Sequence, residues 1–217
     1  MKTMNEHIKE LGYEFEEIAR NIVLIKDFLQ EKETEELWEI INNATQKDWE
    51  EDYHKSQVEL AKRMYNTEDL ELAISKGFME YTHSWTDKAI SIPLEKSKDL
   101  NRRIAKLFEF DKNLWYGYID TIQRQYFGAN LTQHVDSDGD PDILYAVIGY
   151  LNDDYKDGEL FFPKLNLEVK PPKNSIIIFP DGKDYEHGVK APGDGPIRYA
   201  LPTFVRSIKN AGNSLPE

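Results

Sequence analysis

His134 and Asp136 are the residues whose types and spacing most directly suggest chemistry, since they stand two positions apart in the segment QRQYFGANLTQHVD, residues 123–136. If this segment is a strand, positions i and i+2 face the same side, so the imidazole and the carboxylate enter the same space. Completed by a second imidazole, such a pair forms the facial triad that holds non-heme Fe(II) and leaves coordination positions open. His187, in the segment YEHG, is the candidate for that second imidazole.

A His-x-Asp pair alone is weak support for a metal site, because a structural contact between a His and a carboxylate is common. The order of the later residues strengthens the metal interpretation. Arg198 stands eleven residues after His187 and opens the aromatic, β-prone run RYALPTFV. An arginine there can hold a carboxylate through two parallel, charge-assisted hydrogen bonds and stays charged when partly buried. The sequence therefore predicts an anchor for an acidic cosubstrate beside a metal site.

Four segments occur in an order that resembles the Fe(II)/2-oxoglutarate-dependent dioxygenases, and among them most closely the prolyl 4-hydroxylase group. They lie between residues 125 and 204 and read QYFGANLTQHVD, IGYLNDDYKDGELFFP, LEVKPPKNSIIIFP and YEHGVKAPGDGPIRYALPTF. The chain departs from the usual family pattern at several positions. Arg198 stands where prolyl 4-hydroxylases usually have Lys, Asn174 replaces a Gly of the third segment, and Leu131 replaces a second Tyr, three residues before His134. These departures concern the substrate more than the iron chemistry.

The resemblance implies that His134, Asp136 and His187 bind Fe(II), and that 2-oxoglutarate and O2 are cosubstrates. It also implies that Arg198 pairs with the distal carboxylate of 2-oxoglutarate, assisted by the hydroxyl of Tyr126. Ordinary aromatic packing in a sheet is the other interpretation of Tyr126. Phe204 lies at an even spacing from Arg198 and is a candidate for lining the pocket, although packing explains it equally well.

The first half of the chain predicts several helices and one early strand. Residues 21–29 predict a buried strand, followed by a helix with Thr34 as its N-cap. Further helices are expected around Ser56 to Tyr65 and Thr67 to Lys76. Ser97 to Phe110 is expected to be an amphipathic helix with Leu100 and Ile104 on its apolar face.

After residue 111 the sequence predicts strands, beginning with one long strand through LWYGYIDTIQRQYF. Short strand-like runs separated by turn clusters continue to Val205, which is typical of an antiparallel jelly roll. The expected fold is therefore α+β, a double-stranded β-helix core with N-terminal supporting helices. We expect residues 1–110 to support the barrel, residues 111–210 to form the dioxygenase core and residues 211–217 to be a tail.

Composition limits the partners and the location. With 27 basic and 40 acidic residues the formal charge is −13, which argues against sequence-independent binding to nucleic acid or to an anionic membrane. The chain has no Cys, so thiolate ligands are excluded. The acidic turn DSDGDPD fails the EF-hand template, since Pro141 and Val147 stand where its central Gly and its acidic twelfth residue are needed. Without a signal-like N-terminus or a long apolar run, a soluble, cytoplasmic protein is the expectation.

The expected function is hydroxylation of a C–H bond, with peptidyl proline as the substrate that the resemblance favours and 4-hydroxyproline as the product. A peptide or protein is then the expected partner. A dioxygenase acting on a free amino acid or another small molecule is the enzymatic alternative. A barrel retained as a binding or assembly module is the alternative without catalysis, and such modules usually lose a metal ligand or the basic anchor. Here all four residues are present.

Overall fold

The computed structural model describes residues 2–49, 58, 62, 66–75, 88–138 and 140–208. The helices with described bounds in the first half of the chain include α1 (Met4–Glu10), α2 (Glu31–Asn43), α3 (Leu70–Ser75) and α4 (Leu94–Leu107). The strands are β1 (Glu16–Ala19), β2 (Ile22–Ile25), β3 (Lys88–Ser91), β4 (Leu114–Tyr116), β5 (Thr121–Gln125), β6 (Leu131–His134), β7 (Ile143–Tyr150), β8 (Leu160–Phe162), β9 (Leu167–Val169), β10 (Ile176–Pro180), β11 (His187–Val189) and β12 (Arg198–Ser207).

These strands form two antiparallel sheets. The large sheet has the order β1-β2-β10-β7-β12-β5-β3, with β4 paired to the far end of β12. The small sheet has the order β6-β11-β8-β9. The strands β5, β12, β7 and β10 lie opposite this small sheet as the two halves of a double-stranded β-helix, which confirms the expected fold class.

Strand β10 shows why the large sheet is buried on both faces. Its residues are apolar without alternation, the pattern of a strand with cover on each side. Ile176 and Ile178 pack on the helical side with Leu37, Leu100 and other apolar residues. Ile177 and Phe179 point the other way, into the core between the two sheets. The large sheet is therefore the middle layer between the helices and the small sheet.

Helix α4 is fixed to the large sheet by apolar contacts and by one buried amide. Leu100 and Ile104 are fully buried, as the amphipathic pattern predicts. Asn101 is also buried: its Oδ1 accepts from the Tyr116 hydroxyl at 2.9 Å and from the Ile119 N–H at 2.8 Å, while its Nδ2 donates to the Ile119 carbonyl at 3.1 Å. The amide thereby fixes the chain between β4 and β5.

Several predicted boundaries are wrong, for local reasons. The long strand predicted through residues 114–127 is broken into β4 and β5, with residues 117–120 between them. Helix α2 begins at Glu31 after the N-cap Gln30, whose N–H donates to Glu33 at 2.9 Å; Thr34 lies inside the helix. The early strand is shortened to β2, between Asn21 and Asp27, which both have positive φ.

Other predictions are shifted or fall outside the described residues. The helix predicted from Ser97 to Phe110 runs from Leu94 to Leu107, and the one predicted from Thr67 to Lys76 from Leu70 to Ser75. The helix predicted around residues 56–65 falls almost entirely outside the described residues, and the predicted tail lies wholly outside them. Strands of the first 110 residues extend both edges of the large sheet, β1 and β2 beside β10 and β3 beside β5. Among the described residues, no helix is both long and apolar enough to cross a membrane.

Candidate metal centre and cosubstrate pocket

His134, Asp136 and His187 meet at the edge of the small sheet. His134 ends β6, His187 begins β11, and the two residues are directly opposite each other in the antiparallel pair. Their ring centroids lie 4.6 Å apart. The Asp136 carboxylate lies between them, with Oδ1 3.3 Å from Nε2 of His134 and Oδ2 3.7 Å from Nε2 of His187. One ligand atom of each residue lies within 4.8 Å of the others, a spacing that one metal ion can bridge.

Asp136 reaches this position from a turn and not from a strand. Strand β6 ends at His134, and a short 3-10 turn begins at Asp136, so the predicted shared strand is wrong although the two side chains are neighbours. Asp181 holds the turn: its carboxylate accepts from the N–H of Asp136 at 3.0 Å and from the N–H of Ser137 at 3.2 Å. The position of Asp136 therefore depends on a residue that follows β10.

Both imidazoles are oriented by backbone carbonyls. Nδ1 of His134 lies 2.8 Å from the Thr132 carbonyl oxygen, and Nδ1 of His187 lies 3.1 Å from that of Tyr185. A carbonyl only accepts, so each Nδ1 carries the proton that is donated. This leaves the Nε2 atoms, which face Asp136, as the ligating atoms, the arrangement expected of metal-bound histidines.

The buried carboxylate supports a cation at this point. Oδ2 of Asp136 is buried and accepts no hydrogen bond from any described residue. A buried carboxylate oxygen without a partner is costly unless a cation neutralises it. Two imidazole nitrogens and one carboxylate oxygen are also the donor set that suits Fe(II). The residues present therefore fit the iron that the sequence resemblance implies.

Burial and the nearby carboxylate act in opposite directions on the two histidines. Burial lowers the pKa of His187 below its ordinary value, against the attraction of Asp136. Burial also opposes the charged form of His134, but the hydrogen bond and charge of Asp136 outweigh it and raise the pKa of His134.

Gly188 allows the small sheet to close around the site. A Cβ at this position would lie 2.7 Å from the Leu131 carbonyl oxygen and 2.6 Å from Cζ of Phe161. Real side chains do not tolerate such distances, so only glycine lets β11 fit between β6 and β8 here. The glycine of YEHG thus keeps His187 opposite His134.

A cavity of about 110 Å³ extends from the three ligands into the space between the sheets. His134, Asp136 and His187 line it together with Arg198, Gln125 and mainly apolar side chains. Arg198 is 4% exposed. It donates from one terminal nitrogen to Oε1 of Gln125 at 2.6 Å and from the other to the Tyr150 hydroxyl at 3.3 Å.

Tyr126 does not reach this cavity. Strand β5 presents Gln123 and Gln125 to the cavity, so the next residue faces the opposite side. The Tyr126 ring instead contacts the guanidinium of Arg124, whose Cζ lies 4.8 Å from the ring centroid. Tyr150, at the end of β7, is the tyrosine that contacts Arg198, and burial raises its pKa, so that its phenol stays protonated.

The sequence patterns did not identify Tyr150 as a site residue, although it lies in the second family-like segment, IGYLNDDYKDGELFFP. Counting alternate residues back from it along β7 gives Ile148 and Ala146, which both line the cavity. Phe204 lines the same cavity toward the far end of β12. The structure therefore brings His134, Asp136, His187, Arg198 and Phe204 to one cavity and leaves Tyr126 outside it.

Comparison with known proteins agrees with this geometry. No curated protein is similar enough in sequence to count as a match. Among solved structures, a prolyl hydroxylase of Trichoplax adhaerens in complex with a peptide fragment of the hypoxia inducible factor oxygen degradation domain has a TM-score of 0.60 at 16% identity, over 98% of this chain and 93% of that chain.

Two further prolyl hydroxylase structures are similar. The viral collagen prolyl hydroxylase of Paramecium Bursaria Chlorella virus-1 with 2-oxoglutarate has a TM-score of 0.55 at 18% identity, over 87% of this chain and 97% of that chain. A Pseudomonas putida prolyl-4-hydroxylase has a TM-score of 0.55 at 14% identity, over 94% and 99%. At these identities the likeness shows a shared fold.

The sequence profile of the 2OG-Fe(II) oxygenase superfamily matches residues 121–206, the stretch that contains all three candidate ligands and Arg198. Fe(II) and 2-oxoglutarate are the cofactor and cosubstrate that this match implies. Residues 121–206 are therefore similar to the 2OG-Fe(II) oxygenase superfamily.

Proposed function

We propose that this oxygenase binds Fe(II) through His134, Asp136 and His187, anchors 2-oxoglutarate through Arg198, and converts peptidyl proline to 4-hydroxyproline. The observation that carries the proposal is that the three ligands and the buried arginine line one cavity. A metal site and a carboxylate anchor in one enclosed space suit a cosubstrate that chelates a metal at one end and carries a second carboxylate at the other.

The guanidinium of Arg198 is positioned by its neighbours to bind that second carboxylate. The guanidinium is buried, and the contacts with the Gln125 amide and the Tyr150 phenol fix its plane. A charge-assisted hydrogen bond is about twice as strong as a neutral one, and two can form in parallel from one guanidinium. We assign to Tyr150, in place of Tyr126, the hydroxyl that assists this contact.

When bound, the iron and 2-oxoglutarate supply the oxidising chemistry: one oxygen atom of O2 enters the substrate C–H bond as a hydroxyl group, and the other enters succinate as CO2 is released. The chain's residues position and protect the reactants. The Nδ1 protons, held by the Thr132 and Tyr185 carbonyls, keep both Nε2 atoms directed at the metal position. The apolar wall, which includes Ile148 and Val189, keeps bulk water away from the reacting centre.

The size of the cavity favours a substrate that is presented at the mouth. About 110 Å³ is well below the roughly 300–1,000 Å³ of pockets that enclose drug-sized ligands. Once the cosubstrate is in place, the substrate can insert only a small group such as a prolyl ring. The similar Trichoplax adhaerens structure, a prolyl hydroxylase with a bound peptide fragment, supports a peptide as the carrier of that ring. Hydroxylation of a free amino acid is the competing possibility.

The test has two stages. Anaerobic titration of the protein with Fe(II) and then 2-oxoglutarate is expected to give a weak visible charge-transfer band, and Asp136→Ala is expected to abolish it. In air, succinate release is then measured over blocked proline-containing peptides and over free amino acids, and products are checked by mass and by amino-acid analysis. Succinate release that the peptides stimulate, with 4-hydroxyproline as the product, would support the whole proposal. If the charge-transfer band forms but only free amino acids stimulate succinate release, the peptide is not the substrate. If no band forms, the metal and cosubstrate assignments are wrong.

A further inference from the structure

Arg206 is a second arginine on the strand that carries Arg198, and the proposed chemistry leaves it without a role. Alternate residues of β12 run from Arg198 through Phe204 in the cavity wall to Arg206. On a strand, two residues advance roughly 7 Å along the same face. Arg206 therefore lies just beyond Phe204, at the end of the cavity opposite the buried anchor.

The guanidinium of Arg206 is held on four sides. Its Nε donates to Asp140 at 3.0 Å. Its Cζ lies 5.5 Å from the ring centroid of Phe204 and 5.9 Å from that of Trp115, the residue directly opposite on β4. Gly117 closes the fourth side, where a Cβ would lie only 3.1 Å from one terminal nitrogen. Because rings, carboxylate and backbone surround it, the planar group is fixed before any ligand arrives.

A shift in strand register lies directly opposite Arg206, on β7. Val205 of β12 is opposite Tyr145 of β7, but Arg206 is opposite Ile143, so Leu144 is an extra residue with no partner across the pair. Such bulges bend a strand and re-aim a side chain, and they are over-represented next to active sites. The bulge also leaves Leu144 39% exposed, on the face of β7 that continues from Ala146 in the cavity wall.

The terminal nitrogens of Arg206 still have hydrogen-bonding capacity. Only its Nε has a hydrogen-bond partner among the described residues, and its side chain is 16% exposed. Each terminal nitrogen carries two N–H donors in a fixed fork. Since Asp140 already compensates the positive charge, a neutral acceptor suits this fork better than a second carboxylate does.

Resting on the proposed function, we propose that Arg206 binds a backbone carbonyl oxygen of the peptide substrate at the cavity mouth, next to the residue whose ring enters. The aromatic side chains of Trp115 and Phe204 support the guanidinium and give the peptide an apolar surface. Arg206 is thus a specificity-determining residue that favours a peptide over a free amino acid, and it takes no part in binding the cosubstrate.

The experiment compares Arg206→Met and Arg206→Lys with the wild type. The matched control is Arg102→Met, which changes an exposed arginine on α4 that pairs with Asp99. The probe is an acetylated and amidated peptide of repeated Pro-Pro-Gly triplets. Calorimetry with the anaerobic protein loaded with Fe(II) and 2-oxoglutarate gives its Kd, and succinate release in air gives the KM for the peptide and for 2-oxoglutarate.

Both Arg206 variants are expected to bind the peptide roughly 10- to 100-fold more weakly, the loss that corresponds to a hydrogen bond from a charged group. The KM for 2-oxoglutarate is expected to stay within about twofold of the wild type, as in the control. The Arg206→Lys variant distinguishes a role of Arg206 in binding the peptide from a role in maintaining the local structure. Lysine can keep the ion pair with Asp140 but cannot present the planar fork, so wild-type peptide affinity in this variant would overturn the proposal.

The remaining outcomes also discriminate. An equal loss of peptide and 2-oxoglutarate affinity in both variants would show a structural role for Arg206. If the wild type binds Fe(II) and 2-oxoglutarate, but free amino acids and not the peptide bind in an Arg206-dependent manner, the carbonyl assignment is wrong. Arg206 then binds a carboxylate. If Fe(II) and 2-oxoglutarate fail to bind while the peptide still binds in an Arg206-dependent manner, the proposed function fails and the peptide site stands.

Discussion

Replacing Arg198 by Met should remove the affinity for the distal carboxylate of 2-oxoglutarate while leaving the metal site intact. Arg198 is buried, so its loss cannot be made good by water. Hydrogen bonds to charged groups contribute about 1.5–3 kcal/mol each, and truncating one partner of a buried charged pair costs roughly 2–5 kcal/mol. A loss of about 3–4 kcal/mol corresponds to roughly 100- to 1,000-fold weaker binding of 2-oxoglutarate.

The assay uses a ligand that lacks the group in question. Anaerobic titrations of the Fe(II)-loaded protein with 2-oxoglutarate and with 2-oxobutyrate, which has no distal carboxylate, are followed by the visible charge-transfer band. The wild type should prefer 2-oxoglutarate strongly. In Arg198→Met the two Kd values should converge, because the chelating ends of both ligands are alike and only the distal contact has been removed.

Arg124→Met is the matched control for removing a buried arginine. Arg124 lies on β5, next to the strand of Arg198, but packs on the other side, over the ring of Trp49 at 4.2 Å. This variant should keep the wild-type preference between the two ligands. An equal loss of affinity for 2-oxoglutarate and 2-oxobutyrate in Arg198→Met would refute the anchoring role, because it would show that the whole cavity had changed.

Four further variants test the supports of the site. Asp136→Ala should abolish Co(II) binding in a calorimetric titration, whereas tight binding would exclude this residue as a ligand. Asp181→Asn keeps the size of the side chain but weakens the hold on the metal-binding turn, so metal affinity should fall roughly 10- to 100-fold, as is usual for residues that orient ligands. Gly188→Ala should push β11 from β6, lowering both metal affinity and Tm; an unchanged affinity would contradict the close fit. Asn101→Ala leaves the N–H and carbonyl of Ile119 without their partner, so urea unfolding should show a loss of roughly 2–4 kcal/mol with metal affinity unchanged.

The parts of the site that follow from strand geometry could be predicted from the sequence. His134 occurs in a run that reads as a strand, and Arg198 and Phe204 are separated by an even number of residues on β12. The alternation of a strand is a local property, so it can be counted without knowing the partner strand. The same rule would have identified Tyr150, two residues after Ile148 on β7.

Other features depend on contacts that no local pattern contains. Asp181 supports Asp136 from 45 residues away in the sequence and through backbone N–H groups, which every residue except Pro offers. The side to which Tyr126 turns follows from the pairing of β5 with β12, which places Gln125 opposite Arg198. The expectation that Tyr126 faces the cavity came from the family resemblance, and no local pattern in the sequence tests it.

The contrast between the two sheets explains why metal binding should also stabilise the fold. The large sheet contains β7 and β12, of eight and ten residues, and has an apolar cover of helices, whereas β6, β8, β9 and β11 have only three or four residues each. The small sheet must also hold two imidazoles beside the buried carboxylate of Asp136, whose Oδ2 lacks a partner among the described residues. A cation that bridges these groups removes that desolvation cost and ties β6 to β11 at the same time, so its binding free energy adds to the stability of the folded state. The same residues thus destabilise the small sheet when no cation is bound and hold its strands together when a cation is bound.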